Sequence, residues 1–104
     1  WKFLKMALRK KFLKSKPLCK VSFDLAGNRL PQEVKQVELL GSFSNWEPIP
    51  MRKVKGAYTR TLDLETGIEY QFRYRFDGEI WENDEAADSY VPNGVSGDNS
   101  VVRL

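Results

Sequence analysis

A chain of 104 residues with 41% hydrophobic and 30% charged side chains is long enough to bury one core and too short for a second domain. Histidine is absent and Cys19 is the single cysteine. That removes the commonest general base and metal ligand, excludes an internal disulfide and fits a reducing, cytoplasmic compartment. The net charge of +3 is unevenly divided: residues 1–20 hold eight basic side chains and no acid, residues 21–104 nine basic and fourteen acidic ones. The basicity is therefore a tail and not the footprint of a nucleic-acid-binding domain.

Residues 1–16 have helix-compatible spacing, with Trp1, Leu4, Leu8 and Phe12 at intervals of three and four between lysines. Met6-Ala7 resembles a natural start, which would make Trp1–Lys5 a tag. A basic amphipathic segment can touch an anionic membrane or an acidic partner. The plainer expectation is a solvated extension over 1–17, dispensable for folding, that lays one or two apolar residues on the domain edge. Pro17 ends any helix. No apolar run approaches the roughly 20 residues of a membrane span, and no signal-peptide pattern is present.

From Leu18 the period becomes two. Val21, Phe23 and Leu25 alternate with Lys20, Ser22 and Asp24 as a half-buried strand, and Ala26–Pro31 is a turn cluster. Gln36–Leu40 is a second strand, stopped by Gly41-Ser42-Phe43-Ser44-Asn45-Trp46-Glu47-Pro48-Ile49-Pro50, where glycine, asparagine and two prolines require a surface turn. After the Lys55-Gly56 turn, Ala57–Leu64 is a strand, with Thr66-Gly67 as the next turn. Glu69–Phe76 places Tyr70, Phe72, Tyr74 and Phe76 on one face and Gln71, Arg73 and Arg75 on the other. Asp77-Gly78 is a hairpin dipeptide answered by Glu79–Glu82. Asn83–Asn99 is turn-rich, and Ser100–Leu104 is a closing strand. Six or seven short strands at these spacings predict an all-β antiparallel sandwich over 18–104. Its centre is the aromatic stripe, surrounded by Val21, Phe23, Val37, Leu39, Leu62 and Val101.

Few constellations carry chemistry. Glu79, Glu82, Asp84, Glu85 and Asp88 cluster after the hairpin. Glycoside hydrolysis needs paired carboxylates about 5–9.5 Å apart, but a loop run of acids reads more plainly as a solvated face. Asp84, Glu85, Asp88 and Asp98 lack the spacing of a calcium loop. Without histidine no Ser-His-Asp nucleophile can be assembled; no catalysis, metal or cofactor is expected. Trp46, Trp81, Arg73 and Asn99 form a different set: indole plates with guanidinium and amide arms suit hydroxyl-rich ligands. Trp46 read alone is equally compatible with a core position.

The stretches Val37–Trp46, Gly56–Tyr58, Leu62–Gly67 and Tyr70–Gly78 together resemble the family 48 carbohydrate-binding modules. That family includes the glycogen-binding domain of the AMP-activated kinase β subunit and the early-set N-terminal domain of isoamylases and branching enzymes. The likeness runs from about Lys20 to Leu104, roughly four fifths of the chain. It implies an immunoglobulin-like early-set sandwich and a non-catalytic module for α-1,4-linked glucan: glycogen, starch or a maltooligosaccharide. A glycogen-metabolising enzyme is the expected protein partner. By position, Trp46 would stack on glucose, Arg73 and Asn99 would bond hydroxyls, Trp81 would add a plate, and Val95 would support a ligand-facing loop. One residue more than is common separates Asp77-Gly78 from Trp81, which turns Trp81 inward unless the hairpin absorbs it. The alternative is an interaction domain that keeps the fold and has lost sugar binding.

Overall fold

The computed structural model describes residues 6–25, 35–54, 57–84, 86–94 and 97–104. Trp1–Lys5, the Ala26–Pro31 turn cluster, Lys55-Gly56, Glu85 and Val95 fall outside them. In chain order the strands are β1 Met6–Phe12, β2 Leu18–Leu25, β3 Val37–Gly41, β4 Ile49–Pro50, β5 Arg52–Val54, β6 Ala57–Glu65, β7 Glu69–Phe76, β8 Ile80–Glu82, β9 Ser89–Pro92 and β10 Asp98–Arg103. They form two antiparallel sheets. The first has the order β1-β2-β6-β5; the second runs β4-β3-β7-β10-β9, with β8 also on β7.

The alternation of β2 and β7 explains the packing. Cys19, Val21, Phe23 and Leu25 of the first sheet and Phe72, Tyr74 and Phe76 of the second are fully buried. Across the gap the Phe23 and Phe72 rings meet edge to face at 5.1 Å, and Phe72 meets Tyr74 at 5.8 Å. Such pairs add about 0.5–1.5 kcal/mol beyond the area they bury. Val37, Leu39, Tyr58, Leu64 and Val102 complete the core. An all-β, immunoglobulin-like sandwich is what forms.

Three expectations are corrected. First, Met6–Phe12 is a strand and not a helix or loose tail: it pairs with β2 over seven registered positions, from Met6 opposite Leu25 to Phe12 opposite Cys19. A lone helix of that length is marginal in water, whereas β2 offers a row of backbone partners. Leu8 packs on the core, and Lys10 Nζ crosses to Asp88 Oδ2 of the second-sheet half at 2.6 Å. Second, Val102 and not Val101 enters the core. Val101 is buried too, but it lies opposite Gln71, on the outer face. Third, the turn-rich stretch 83–99 contains β9, and the proline segment contains the two-residue edge strand β4, where Pro50 opposite Glu38 needs no donor.

Asp84 departs furthest from its sequence context. It is wholly buried, not part of a solvated acidic face. The Tyr74 hydroxyl donates to its Oδ2 at 2.6 Å and the Ala86 N–H to its Oδ1 at 2.8 Å. Its own N–H donates to Ser100 Oγ at 2.9 Å, and the Tyr90 hydroxyl donates to its carbonyl. Each of these buried polar groups of Asp84 has a partner, as burial demands.

Candidate functional site

The turn that carries Trp46 is built from the end of β3. A Cβ on Gly41 would stand 2.7 Å from the Gln71 carbonyl oxygen and 2.6 Å from the Phe43 ring, so glycine alone lets β3 run this close to β7. Phe43 reaches back to Phe23 and Tyr70, with ring centroids 5.8 and 6.1 Å apart. Ser42–Ser44 then makes one 3₁₀ turn. Ser42 Oγ accepts the Gln71 N–H at 3.0 Å, and the Trp46 N–H donates to the Gly41 carbonyl at 2.8 Å.

Closing this loop puts Asn45 and Trp46 both in the left-handed region, at φ 54° and 61°. Asparagine tolerates that conformation; a bulky indole pays about 1–3 kcal/mol for it. The Trp46 side chain does not recover the cost by joining the core, since the residue is 37% exposed. Strain of this kind clusters at ligand sites.

Trp81 enters from the other side. The Asp77-Gly78 turn has positive φ at both residues, 51° and 74°, with the Glu79 N–H donating to the Phe76 carbonyl. The strands rejoin at Phe76 opposite Ile80, so the extra residue is taken up in the loop. Trp81 lies opposite Arg75. The register therefore turns Trp81 outward, on the face of Arg73 and Arg75, and not inward. The residue is 40% exposed, with the Arg73 guanidinium carbon 5.4 Å and that of Arg75 5.5 Å from its ring centroid. Asp77 also pins the start of β3: its Oδ1 accepts the N–H groups of Lys35 and Gln36, each at 2.9 Å.

The same face extends across β10. Asn99 is 7% exposed and engaged at both ends of its amide. It donates to Gln71 Oε1 at 3.0 Å and accepts from Asn93 Nδ2 at 3.3 Å. Beside Arg73, Leu40 of β3 is buried on this outer face, as Val101 is beside Gln71. Thus Arg73, Trp81 and Asn99 share one surface of the second sheet, and the Trp46 turn is attached at its Gln71 end. The points at which the two tryptophan segments join β7, Gln71 and Arg75, are four residues or about 13 Å apart. Val95 lies outside the described residues.

Sequence reasoning placed Gln71 and Arg75 on the face of Arg73 but did not count them, or Glu38, among the candidate site residues. The signal was present for the first two, because they alternate with the aromatic stripe as Arg73 does. Arg75 donates from Nε and Nη2 to a single oxygen of Glu38, at 3.0 and 2.8 Å. Among the described residues no group of acidic or cysteine side chains is placed to hold a metal ion. Asp88 is instead committed to Lys10 and to the Arg103 N–H. Burial alone would raise its carboxyl, but these bonds and charges hold it below the ordinary range.

Comparison with known proteins bears on what such a face recognises. Residues 29–96, more than half of the chain, match the family profile described as the glycogen recognition site of AMP-activated protein kinase. Among curated proteins, the chain is similar to 5'-AMP-activated protein kinase subunit beta-1. The pig protein is 30% identical over 70 residues, which is 67% of this chain and 55% of the relative. The bovine and human proteins are 31% and 30% identical over the same share of this chain, which spans only a quarter of their length. The strands β1 and β2 both precede the matched range. The chain belongs to the family of the glycogen recognition site of AMP-activated protein kinase.

Proposed function

We propose that this domain is a non-catalytic α-glucan-binding module of the glycogen type, with the outer face of the second sheet and the Trp46 turn as its site. The observation that carries the reading is the direction of Trp81. Its half-exposed ring stands on the same face as Arg73, within reach of the end of the sheet where a strained backbone holds a second half-exposed indole. In this reading Trp46 and Trp81 stack on glucosyl rings and Arg73 bonds their hydroxyls. Asn99 acts with Gln71, which shares its amide. Shallow polar sites of this kind bind in the micromolar to millimolar range, about −4 to −8 kcal/mol.

The family of the matched region and the absence of histidine support a binding role over catalysis. In the whole protein the module would bring glycogen to a glycogen-metabolising enzyme in the cytoplasm, a setting that a buried, unpaired Cys19 suits. No helix among the described residues is long and apolar enough to cross a membrane.

Titration with maltoheptaose and glycogen, beside circular dichroism, tests the site. Loss of a stacking aromatic commonly removes about 2 kcal/mol, roughly thirtyfold in affinity. Trp46→Ala and Trp81→Ala are each expected to lose that much or more while staying folded. Arg73→Ala should lose about 1 kcal/mol. A folded domain that binds neither glucan overturns the reading and returns the face to a protein partner.

A further inference from the structure

The register places four residues in one row across four strands: Pro50, Glu38, Arg75 and Trp81 on β4, β3, β7 and β8. The middle pair is the informative one. The Glu38 side chain is 11% exposed and that of Arg75 23%, so this ion pair is largely removed from water, unlike the Arg9–Asp24, Lys20–Asp63 and Arg103–Glu69 pairs of the surface. Partial burial is the setting in which a geometrically good arginine–carboxylate pair persists instead of exchanging with solvent.

What the pair holds is the arginine beside an indole. β8 has only three residues, and within the sheet its ladder is to β7 alone. Backbone pairing on one side fixes where Trp81 leaves the sheet, but not how its ring turns. A guanidinium lying over an indole ring supplies that missing restraint by cation–π attraction. An arginine free in solvent samples many rotamers and would restrain little. Arg75 is denied that freedom because two of its nitrogens are held on Glu38 Oε1. Glu38 thus acts on Trp81 without touching it.

We propose that Glu38 and Arg75 are positioning residues for Trp81. The carboxylate orients Arg75, and Arg75, with Arg73, keeps the indole in one presentation before a ligand arrives. The inference rests on reading Trp81 as a ligand-facing plate, and it is separable from that reading because ring order is measurable without any sugar. Preorganisation of this sort improves affinity by reducing what must be ordered on binding.

The test uses the chain with Trp1→Phe and Trp46→Phe, leaving Trp81 as the only emitting tryptophan. Its accessibility to acrylamide and its fluorescence anisotropy are read at a temperature where circular dichroism shows every variant folded. Glu38→Leu, which fills similar space and removes the acceptor, should raise quenching about two- to fivefold, the range a surface cation–π contact supports. Arg75→Met, which keeps the stem and loses the guanidinium, should do the same. Glu38→Gln retains an acceptor and should fall between them and the parent. In the chain with Trp46 intact, Glu38→Leu should weaken maltoheptaose binding by a similar factor. Combined with Trp81→Ala it should cost no more than Trp81→Ala alone.

Unchanged quenching and anisotropy in folded Glu38→Leu or Arg75→Met would overturn the proposal. If Trp81 loosens as expected while even the parent chain binds no maltoheptaose, the positioning role stands and the glucan reading is the part that fails.

Discussion

The Tyr74 hydroxyl and the Asp84 carboxylate meet at 2.6 Å in the interior, and neither residue is exposed. Burial first, then the charge and hydrogen bond of Asp84, push the Tyr74 phenol well above its ordinary value of 10.0. The sign follows from linkage. The unfolded chain releases this proton near its ordinary value, while the folded protein keeps it to higher pH. Stability from Tyr74 is therefore intact below pH 10 and falls as pH rises above it. Urea midpoints measured from pH 8 to 11 should show the decline, and Tyr74→Phe should make it shallower. An identical slope in Tyr74→Phe would place the alkaline sensitivity elsewhere.

Removing the carboxylate is expected to be severe. Asp84→Ala leaves the Tyr74 hydroxyl and the Ala86 N–H without their acceptor, at about 2–3 kcal/mol. In a domain of this size that lowers Tm by roughly 10–20 °C. Differential scanning calorimetry would read it directly.

Strand β1 supplies the next expectation. Deleting residues 1–12 removes the whole β1–β2 ladder, the Leu8 contact and the Lys10–Asp88 pair, and should lower Tm by more than about 10 °C. The Asp88 carboxyl is held below its ordinary value of 3.8. Its contribution is thus present above that value and lost as pH falls through the lowered one. Lys10→Ala should flatten the acid limb of the stability profile. If the deletion leaves Tm unchanged, β1 is an ornament and the sandwich is complete without it.

Gly41→Ala tests the approach of β3 to β7. The added methyl meets backbone at the Gln71 carbonyl as well as the movable Phe43 ring, so the strands must part. Overpacking of this kind costs about 1–3 kcal/mol. Because Ser42 Oγ accepts the backbone N–H of the same residue, Gln71, Trp46 fluorescence should shift together with the loss of stability.

Trp46→Gly separates strain from stacking. Glycine adopts the left-handed conformation without steric cost, and the indole it replaces is half-exposed. Chemical denaturation should show stability unchanged or raised by about 1 kcal/mol, while glucan affinity disappears. A clear loss of stability would mean that the indole belongs to the core.

Much of this molecule is legible in the order of its residues. Period-two alternation over Leu18–Leu25 and Glu69–Phe76 specifies two strands, the faces they bury and, by default, the outward direction of Arg73. Asp77-Gly78 announces its hairpin, and Gly41 to Pro50 announces a turn. These features follow from local covalent geometry: side chains alternate along any extended chain, and glycine, asparagine and proline restrict φ wherever they stand. What the chain order left open concerns partners distant in sequence. Met6–Phe12 is spaced like a helix and becomes a strand because β2 has an unpaired edge to offer. Trp81 faces outward because two left-handed residues absorb one extra position in the loop. Val102 displaces Val101 from the core because the pairing of β10 with β7 sets its register. Asp84, one acid among several in sequence, is drawn inside by Tyr74 and Ser100. Glu38 and Arg75 lie 37 residues apart and meet only once β3 and β7 are side by side. Local pattern determines which face a residue shows; only the assembled sheets determine what stands opposite it.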